Sequence, residues 1–156
     1  MLFNKLFIKA HAARTLANDP LQKFMFRVSI PGTPAGMGFQ KVGGLTREVG
    51  VVEYLEGMYQ HAHKLPGREK VSEVTLERGE YASKDLENIY KKALSAGNFK
   101  RNTIIIEILD RFGNPRRTYK LAEAWVSKWE GSDLDATSDD VAIEKITIQF
   151  EHFLDD

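Results

Sequence analysis

Residues Thr46–Glu56, reading Thr-Arg-Glu-Val-Gly-Val-Val-Glu-Tyr-Leu-Glu, constrain the fold more than any other stretch of the chain. Their Val, Tyr and Leu content favours a strand. The pattern does not alternate cleanly: Val49 and Val51 share one parity, Val52 and Tyr54 the other, and Glu48, Glu53 and Glu56 are spread over both. A strand that serves one core alternates with period two. One that is apolar and charged on both sides suits a surface that packs on another copy and also meets water. Val42-Gly43-Gly44-Leu45 leads into this strand, and Val71–Gly79 is the expected return strand. Between them, Gly57–Lys70 has no clear period and is punctuated by Gly57, Pro66 and Gly67. A loop of that length inside a compact domain is usually functional or disordered. Here it reads as an excursion that contacts a neighbour.

The rest of the chain supplies a mainly antiparallel framework. Leu21–Ile30 is the cleanest strand, with Phe24, Phe26, Val28 and Ile30 on one side and Lys23, Arg27 and Ser29 on the other. Pro31-Gly32-Thr33-Pro34 ends it, and Met37–Leu45 begins the next. In Val71–Gly79, Val74 and Leu76 point inward and Glu73, Thr75 and Glu77 outward. One helix is predicted after Ser83, a candidate cap, with Asp85 and Glu87 at its positive end. Leu86, Ile89, Tyr90, Ala93 and Leu94 form its apolar stripe, Lys91 and Lys92 suit its C-terminal end, and Gly97 offers a left-handed stop. Asn102–Asp110 and Thr118–Lys128 flank a hairpin connection at Arg111–Pro115, and Ile104-Ile105-Ile106 implies burial on both faces. In Asp140–Phe153 the apolar parity changes between Val141/Ile143 and Ile146/Ile148/Phe150, which a bulge near Glu144–Lys145 reconciles. About seven strands and one flanking helix predict an antiparallel β-sandwich or partly closed β-barrel.

At 156 residues the chain is long enough for one domain with a real core. Residues 1–20 read as an N-terminal arm ahead of a single domain over 21–156. Leu2, Phe3, Leu6, Phe7 and Ala10 give the arm an amphipathic helical pattern, for packing either on its own domain or on a partner. Twenty-two basic and twenty-two acidic residues cancel, so no global charge favours nucleic acid or membrane surfaces. The charge is unevenly placed. Lys91–Lys120 holds eight basic residues against two acids, and Glu130–Asp156 holds nine acids against Lys145 alone. Such a molecule either attracts copies of itself or pairs two solvated faces within one fold. No cysteine is present, which excludes disulfides and thiolate chemistry. No apolar run approaches a membrane span, and Asn4, Lys5 and Lys9 break the signal-like MLFNKLFIKA start, so a soluble protein made in the cytoplasm is expected.

Motifs for chemistry are weak. Gly36-Met37-Gly38 with Gly43-Gly44 lacks the helix and the Gly-Lys-Ser/Thr of a phosphate loop, and reads as a strand bend. His61 and His63 lack an identifiable third metal ligand. Asp133, Asp135, Thr137, Asp139 and Glu144 echo a calcium loop, but Ser138 stands where the glycine is needed. No nucleophile elbow or carboxylate pair stands out. No catalytic, cofactor or metal site is predicted; a stand-alone binding module or hydrolase has no constellation behind it.

A combination of short motifs points further. Phe26-Arg27-Val28, Phe39-Gln40-Lys41-Val42-Gly43-Gly44-Leu45, Glu53-Tyr54-Leu55-Glu56-Gly57, Lys64-Leu65-Pro66-Gly67 and Val74-Thr75-Leu76-Glu77-Arg78-Gly79 occur in that order. Ala124-Trp125-Val126-Ser127-Lys128-Trp129 and Val141-Ala142-Ile143-Glu144 follow. Over about residues 21–153 the chain resembles contractile phage tail tube proteins and the inner tubes of related injection systems.

The resemblance implies a small β-domain with one flanking helix, six copies of which close a ring around a β-walled lumen. Rings stack into a tube inside a contractile sheath, and the type VI secretion tube shares the fold. The implied partners are further copies of the chain, the tail sheath, the baseplate or tube initiator, the tail terminator, and tape measure protein or DNA in the lumen. The implied place is a virion tail or injection particle assembled in the bacterial host cytoplasm. Within this frame Val49, Val51, Glu53, Tyr54, Lys64, Leu65, Pro66 and Gly67 are expected at contacts between subunits. Lys84, Glu87, Asn88, Lys91 and Lys92 are expected on the helix face that meets the sheath. A tube initiator or baseplate adaptor of the same fold is the alternative. The N-terminal arm looks longer than is usual in the family, so its role is not carried over.

Overall fold

The computed structural model describes residues 19–34, 37–95 and 100–155. The expected arm helix, Gly36 and the expected stop at Gly97 lie outside them. Nine strands and one helix follow in the order β1 Phe26–Ser29, β2 Lys41–Gly43, β3 Arg47–Tyr54, β4 His63–Val71, β5 Val74–Gly79, α1 Asp85–Leu94, β6 Asn102–Leu109, β7 Pro115–Glu130, β8 Ile143–Gln149 and β9 His152–Leu154. Seven strands form one antiparallel sheet in the order β1-β6-β7-β8-β5-β2, with β9 added on β7. β3 and β4 pair only with each other. The large sheet stays open between its β1 and β2 edges, so the fold is mainly β with one helix and not a closed barrel.

β7 is the spine. Its first half pairs with β6 and β9, its second half with β8. The change of partners occurs at Glu123, an exposed residue with φ of 53°, where the β6 ladder slips by one residue. A second slip, between Val126 and Lys128, makes Ser127 the extra residue against β8. The bulge expected near Glu144–Lys145 does not form; the irregularity against β8 is on β7, opposite Thr147 and Ile148. β5 and β8 pair without a slip, Arg78 opposite Glu144 and Leu76 opposite Ile146. In that register Glu144, Ile146, Ile148 and Phe150 all point inward, and Val141 is left exposed.

Val28, Ile30, Val74, Leu76, Leu86, Ile104, Ile106, Leu121, Ala124, Val126, Ile146, Ile148, Phe150 and Phe153 make the core. Helix α1 buries Leu86 completely and packs Ile89 and Tyr90 against this cluster. Its stripe stops short of expectation, because Leu94 is exposed. The helix is entered through Lys84, which is left-handed at φ 52° and gives no side-chain cap. The Ser83 hydroxyl donates to the Asp85 carboxylate instead of capping the helix amides.

The first strand is shorter than its apolar alternation predicts. Phe26 pairs with Ile108, and one residue further β6 ends at Leu109, so Leu21–Phe24 have no ladder partner. Phe24 is 72% exposed in consequence. Likewise only Lys41–Gly43 of the Met37–Leu45 run finds a strand to pair with, namely β5. Ile104 and Ile106 are buried, and Ile105, on the opposite face, is half-buried.

Candidate assembly surface

The β3–β4 hairpin is the part of the molecule least accounted for by its own core. It leaves the sheet through a neck at Gly44, where φ is 88° and a Cβ would stand 2.1 Å from the Glu73 carbonyl oxygen. Only glycine fits that approach. The chain returns through Ser72 and Glu73, and the Ser72 amide donates to the Thr46 carbonyl at 3.3 Å. The expected continuous return strand Val71–Gly79 is thus broken into the end of β4 and the start of β5.

Gly57–Lys70 is not a loop throughout: His63–Val71 is strand β4. It is held by pairing that its own sequence does not advertise. Arg47 faces Val71, Glu48 faces Lys70, Val49 faces Glu69, Val51 faces Pro66, Val52 faces Leu65, Glu53 faces Lys64 and Tyr54 faces His63. Two of these cross-strand rungs set opposite charges against each other, and such pairs fix register. The ladder slips between Val49 and Val51, placing a bulge at Gly67–Arg68. There a Cβ on Gly67 would lie 3.0 Å from the Gly50 carbonyl oxygen and 3.3 Å from the Val52 side chain. Pro66, beside this bulge, sits where strands tolerate proline.

Both faces of the hairpin are open. Val49, Val51 and Pro66 lie on one face, and Val52, Tyr54 and Leu65 on the other. Val49, Val51, Val52, Tyr54 and Leu65 are all at least half exposed. Glu53, Lys64 and Pro66 are exposed, and Gly67 is half-buried by the facing strand. At the tip Leu55, Met58 and Tyr59 are exposed, and the Tyr59 ring meets His63 edge-on at 5.3 Å. The root is anchored by Arg47. Its Nη1 and Nη2 donate to the two Asp155 oxygens at 2.8 and 2.9 Å, and its Nε donates to Glu69 at 2.6 Å. The guanidinium also lies 5.3 Å from the Phe153 ring centre. These hydrogen bonds raise the Arg47 pKa and hold the Asp155 carboxyl below its ordinary value.

The outer face of α1 carries Lys84, Asn88, Lys91 and Lys92, all exposed. Glu87 is half-buried at the edge of that face and ion-paired with Lys91, which lowers its pKa. The structure thus puts the two expected residue groups on separate elements, and the hairpin group on both faces of one ribbon.

Sequence reasoning missed a buried ion pair. Arg78 Nε donates to Glu144 Oε1 at 2.8 Å, with both side chains at most 5% exposed. Trp129 Nε1 donates to the other Glu144 oxygen at 3.2 Å. Arg78 Nη2 lies 3.8 Å from Asp85 in the first turn of α1, and the guanidinium sits 5.0 Å from the Tyr81 ring centre. One pair thereby ties β5, β7 and β8 to the start of the helix. The signal was present in the parity: Arg78 continues the inward series Val74, Leu76, and Glu144 begins the series Ile146, Ile148.

A family model described as T4-like virus tail tube protein gp19 matches residues 22–154. The chain belongs to this tail tube protein family. A comparison with curated proteins finds no match. Among solved structures, a chain of the anti-feeding prophage tube terminating cap has the same fold at 19% identity and a TM-score of 0.80, with 96% of this chain and 97% of that chain covered. A chain of the sheath/tube terminator of PVC, an extracellular contractile injection system, gives 23% identity and a TM-score of 0.77 over 87% and 96%. One from the anti-feeding prophage baseplate, 6-fold symmetrised, gives 23% and 0.76 over 87% and 95%. As a member of this family the chain is a structural tail tube protein, and its motif-based resemblance is borne out. Its described residues include no helix long and apolar enough to cross a membrane.

Proposed function

We propose that this tail tube protein is the repeating subunit of the inner tube of a contractile phage tail or related injection particle. Six copies close a ring, rings stack into a tube, and genome or effector passes through the lumen. Residues 21–156 act as one tube domain, with 1–20 as an arm. The observation that carries the reading is the β3–β4 hairpin, a two-stranded ribbon with apolar side chains open on both faces. Such a ribbon is marginal alone in water. Neighbouring copies that add their ribbons edge to edge to a shared wall remove the exposed edges, with one face on the lumen and the other packed on a subunit. Val49, Val51, Glu53, Tyr54, Lys64, Leu65, Pro66 and Gly67 then lie at or beside contacts between subunits.

In the same arrangement α1 stands outside the wall, and Lys84, Glu87, Asn88, Lys91 and Lys92 meet the sheath. Likeness to chains from terminator, cap and baseplate assemblies supports sheath, terminator and baseplate proteins as further partners. Tape measure protein or DNA occupies the lumen, and the particle assembles in the bacterial host cytoplasm. The role is structural, without catalysis or a cofactor. A tube initiator or baseplate adaptor of the same fold is the second reading, favoured by the likeness to a chain from a baseplate. Copy number in purified particles separates the two, since an initiator occurs in few copies. Electron microscopy of the purified chain tests the main reading: six-membered rings or tubes are expected. A chain that stays monomeric at high concentration, even with its baseplate present, overturns it.

A further inference from the structure

The two ends of β7 carry opposite charge. At one end the β6–β7 turn bears Arg111 and Arg116, with Phe112 at its tip 76% exposed. Asp19, Pro20, Leu21 and Gln22 line a cavity of about 320 Å³ with Leu109–Phe112 and Arg116, so Asp19 is an acid at this end, and Lys23 and the exposed Phe24 follow it in the chain. The turn is stiff. Asp110 Oδ1 accepts from the Phe112 and Asn114 amides, both at 2.9 Å, and Gly113 has φ of 84°. Donation by Asn114 above all, then Phe112, with the Arg116 charge adding to them, holds the Asp110 carboxyl below its usual range. Among the described residues neither Arg111 nor Arg116 makes an ion pair within 4.0 Å.

At the far end of β7, residues 131–140 carry Asp133, Asp135, Asp139 and Asp140, with Glu80 alongside accepting from the Ser132 amide at 3.3 Å. Leu134 is 89% exposed there and Val141 75%. Asp135 accepts from both the amide and the hydroxyl of Thr137, and Asp140 from the Ser138 hydroxyl. Asp133 and Asp139 have no such partner among the described residues. Among the described residues no ion pair within one copy joins the two ends, which are separated by the 16 residues of β7. Between copies they are complementary in charge, and each end adds an exposed apolar anchor, the usual composition of a specific contact. A contact between two different patches is heterologous and propagates head to tail.

We propose that the β6–β7 turn of one copy docks on the 131–140 loop of a second copy. Phe112 seats against Leu134 and Val141, while Arg111 and Arg116 meet Asp133 and Asp139. The inference rests on the tube reading above and names its contact between successive rings. Two double variants test it: Arg111→Glu with Arg116→Glu, and Asp133→Lys with Asp139→Lys. Each alone sets like charges against each other where positions 111 and 116 meet positions 133 and 139. Each should keep wild-type circular dichroism and form single rings, but raise the tube-forming concentration at least about tenfold, since like charges then oppose across the contact. Mixed in equal amounts, the two variants should form tubes again, because each reversed end now meets its complement. Wild-type tubes should also need more protein at high salt, which screens exposed charge. Either variant forming tubes at the wild-type concentration, a mixture that fails to recover them, or a variant that loses its rings overturns the contact while leaving the ring reading in place. A wild-type chain that forms neither rings nor tubes removes both.

Discussion

Arg78 and Glu144 show what one register position can demand. Each follows the inward parity of its strand, and the β5–β8 pairing sets them directly opposite. Removing one partner leaves a buried charge uncompensated, which costs about 3–5 kcal/mol. Replacing both by apolar residues of similar volume is often neutral or stabilising. Glu144→Leu should therefore lower the unfolding free energy of the dispersed subunit by about 3–5 kcal/mol, and Arg78→Met with Glu144→Leu should recover most of the loss. Urea unfolding of the three chains checks this; a double variant as unstable as the single one would mean that the pair does more than neutralise itself. Parity points each residue inward but does not point it at the other, for a physical reason. The apolar Val141 and Ile143 set Glu144 in a pattern that predicts a bulge. Its partner lies 66 residues away, so no local pattern reveals the pairing.

Among elements, the hairpin divides into a half that the sequence shows and a half that it hides. β3 declares itself through Val, Tyr and its mixed parity, and the open faces follow from that pattern. β4 has no β-branched residue before its final Val71 and no alternation through Lys64-Leu65-Pro66-Gly67-Arg68-Glu69-Lys70, and is a strand because β3 supplies its ladder. Proline and glycine read as loop punctuation in the sequence, while in the structure they accompany a bulge. The bulge depends on Gly67, because a methyl group there would press on the Gly50 backbone and the Val52 side chain. Gly67→Ala should leave the core sheet folded and loosen the hairpin, shown by faster amide hydrogen exchange confined to 47–54 and 63–71. Uniform exchange rates between wild type and variant would mean that the bulge yields without disturbing the ribbon. The helix was legible from its stripe, but its cap was not: Ser83 turns to Asp85, and left-handed Lys84 begins the helix instead.

At the scale of the whole molecule the fold class, helix α1 and the family are all legible, because they rest on many residues at once. The strand count and the sheet ends are not, since a strand exists only where a partner extends far enough to pair with it. Assembly belongs to this scale too, and the hairpin allows folding and assembly to be separated. Val52 and Leu65 face each other on one side of the ribbon and are about half exposed. Threonine is close to valine in shape and favours strands, so Val52→Thr with Leu65→Thr should preserve the ribbon while making that face polar. Full burial of such side chains contributes about 1.5–3 kcal/mol each, and half of that is about 1 kcal/mol per side chain. A loss of about 2 kcal/mol per subunit for the two side chains corresponds to a roughly 30-fold higher concentration for polymerisation. The variant should therefore match wild-type circular dichroism and unfolding as a dispersed subunit, yet form tubes only at that higher concentration in sedimentation or electron microscopy. If it polymerises at the wild-type concentration, that face of the hairpin is the one open to the lumen, and the Val49, Val51 and Pro66 face is the one packed on a subunit.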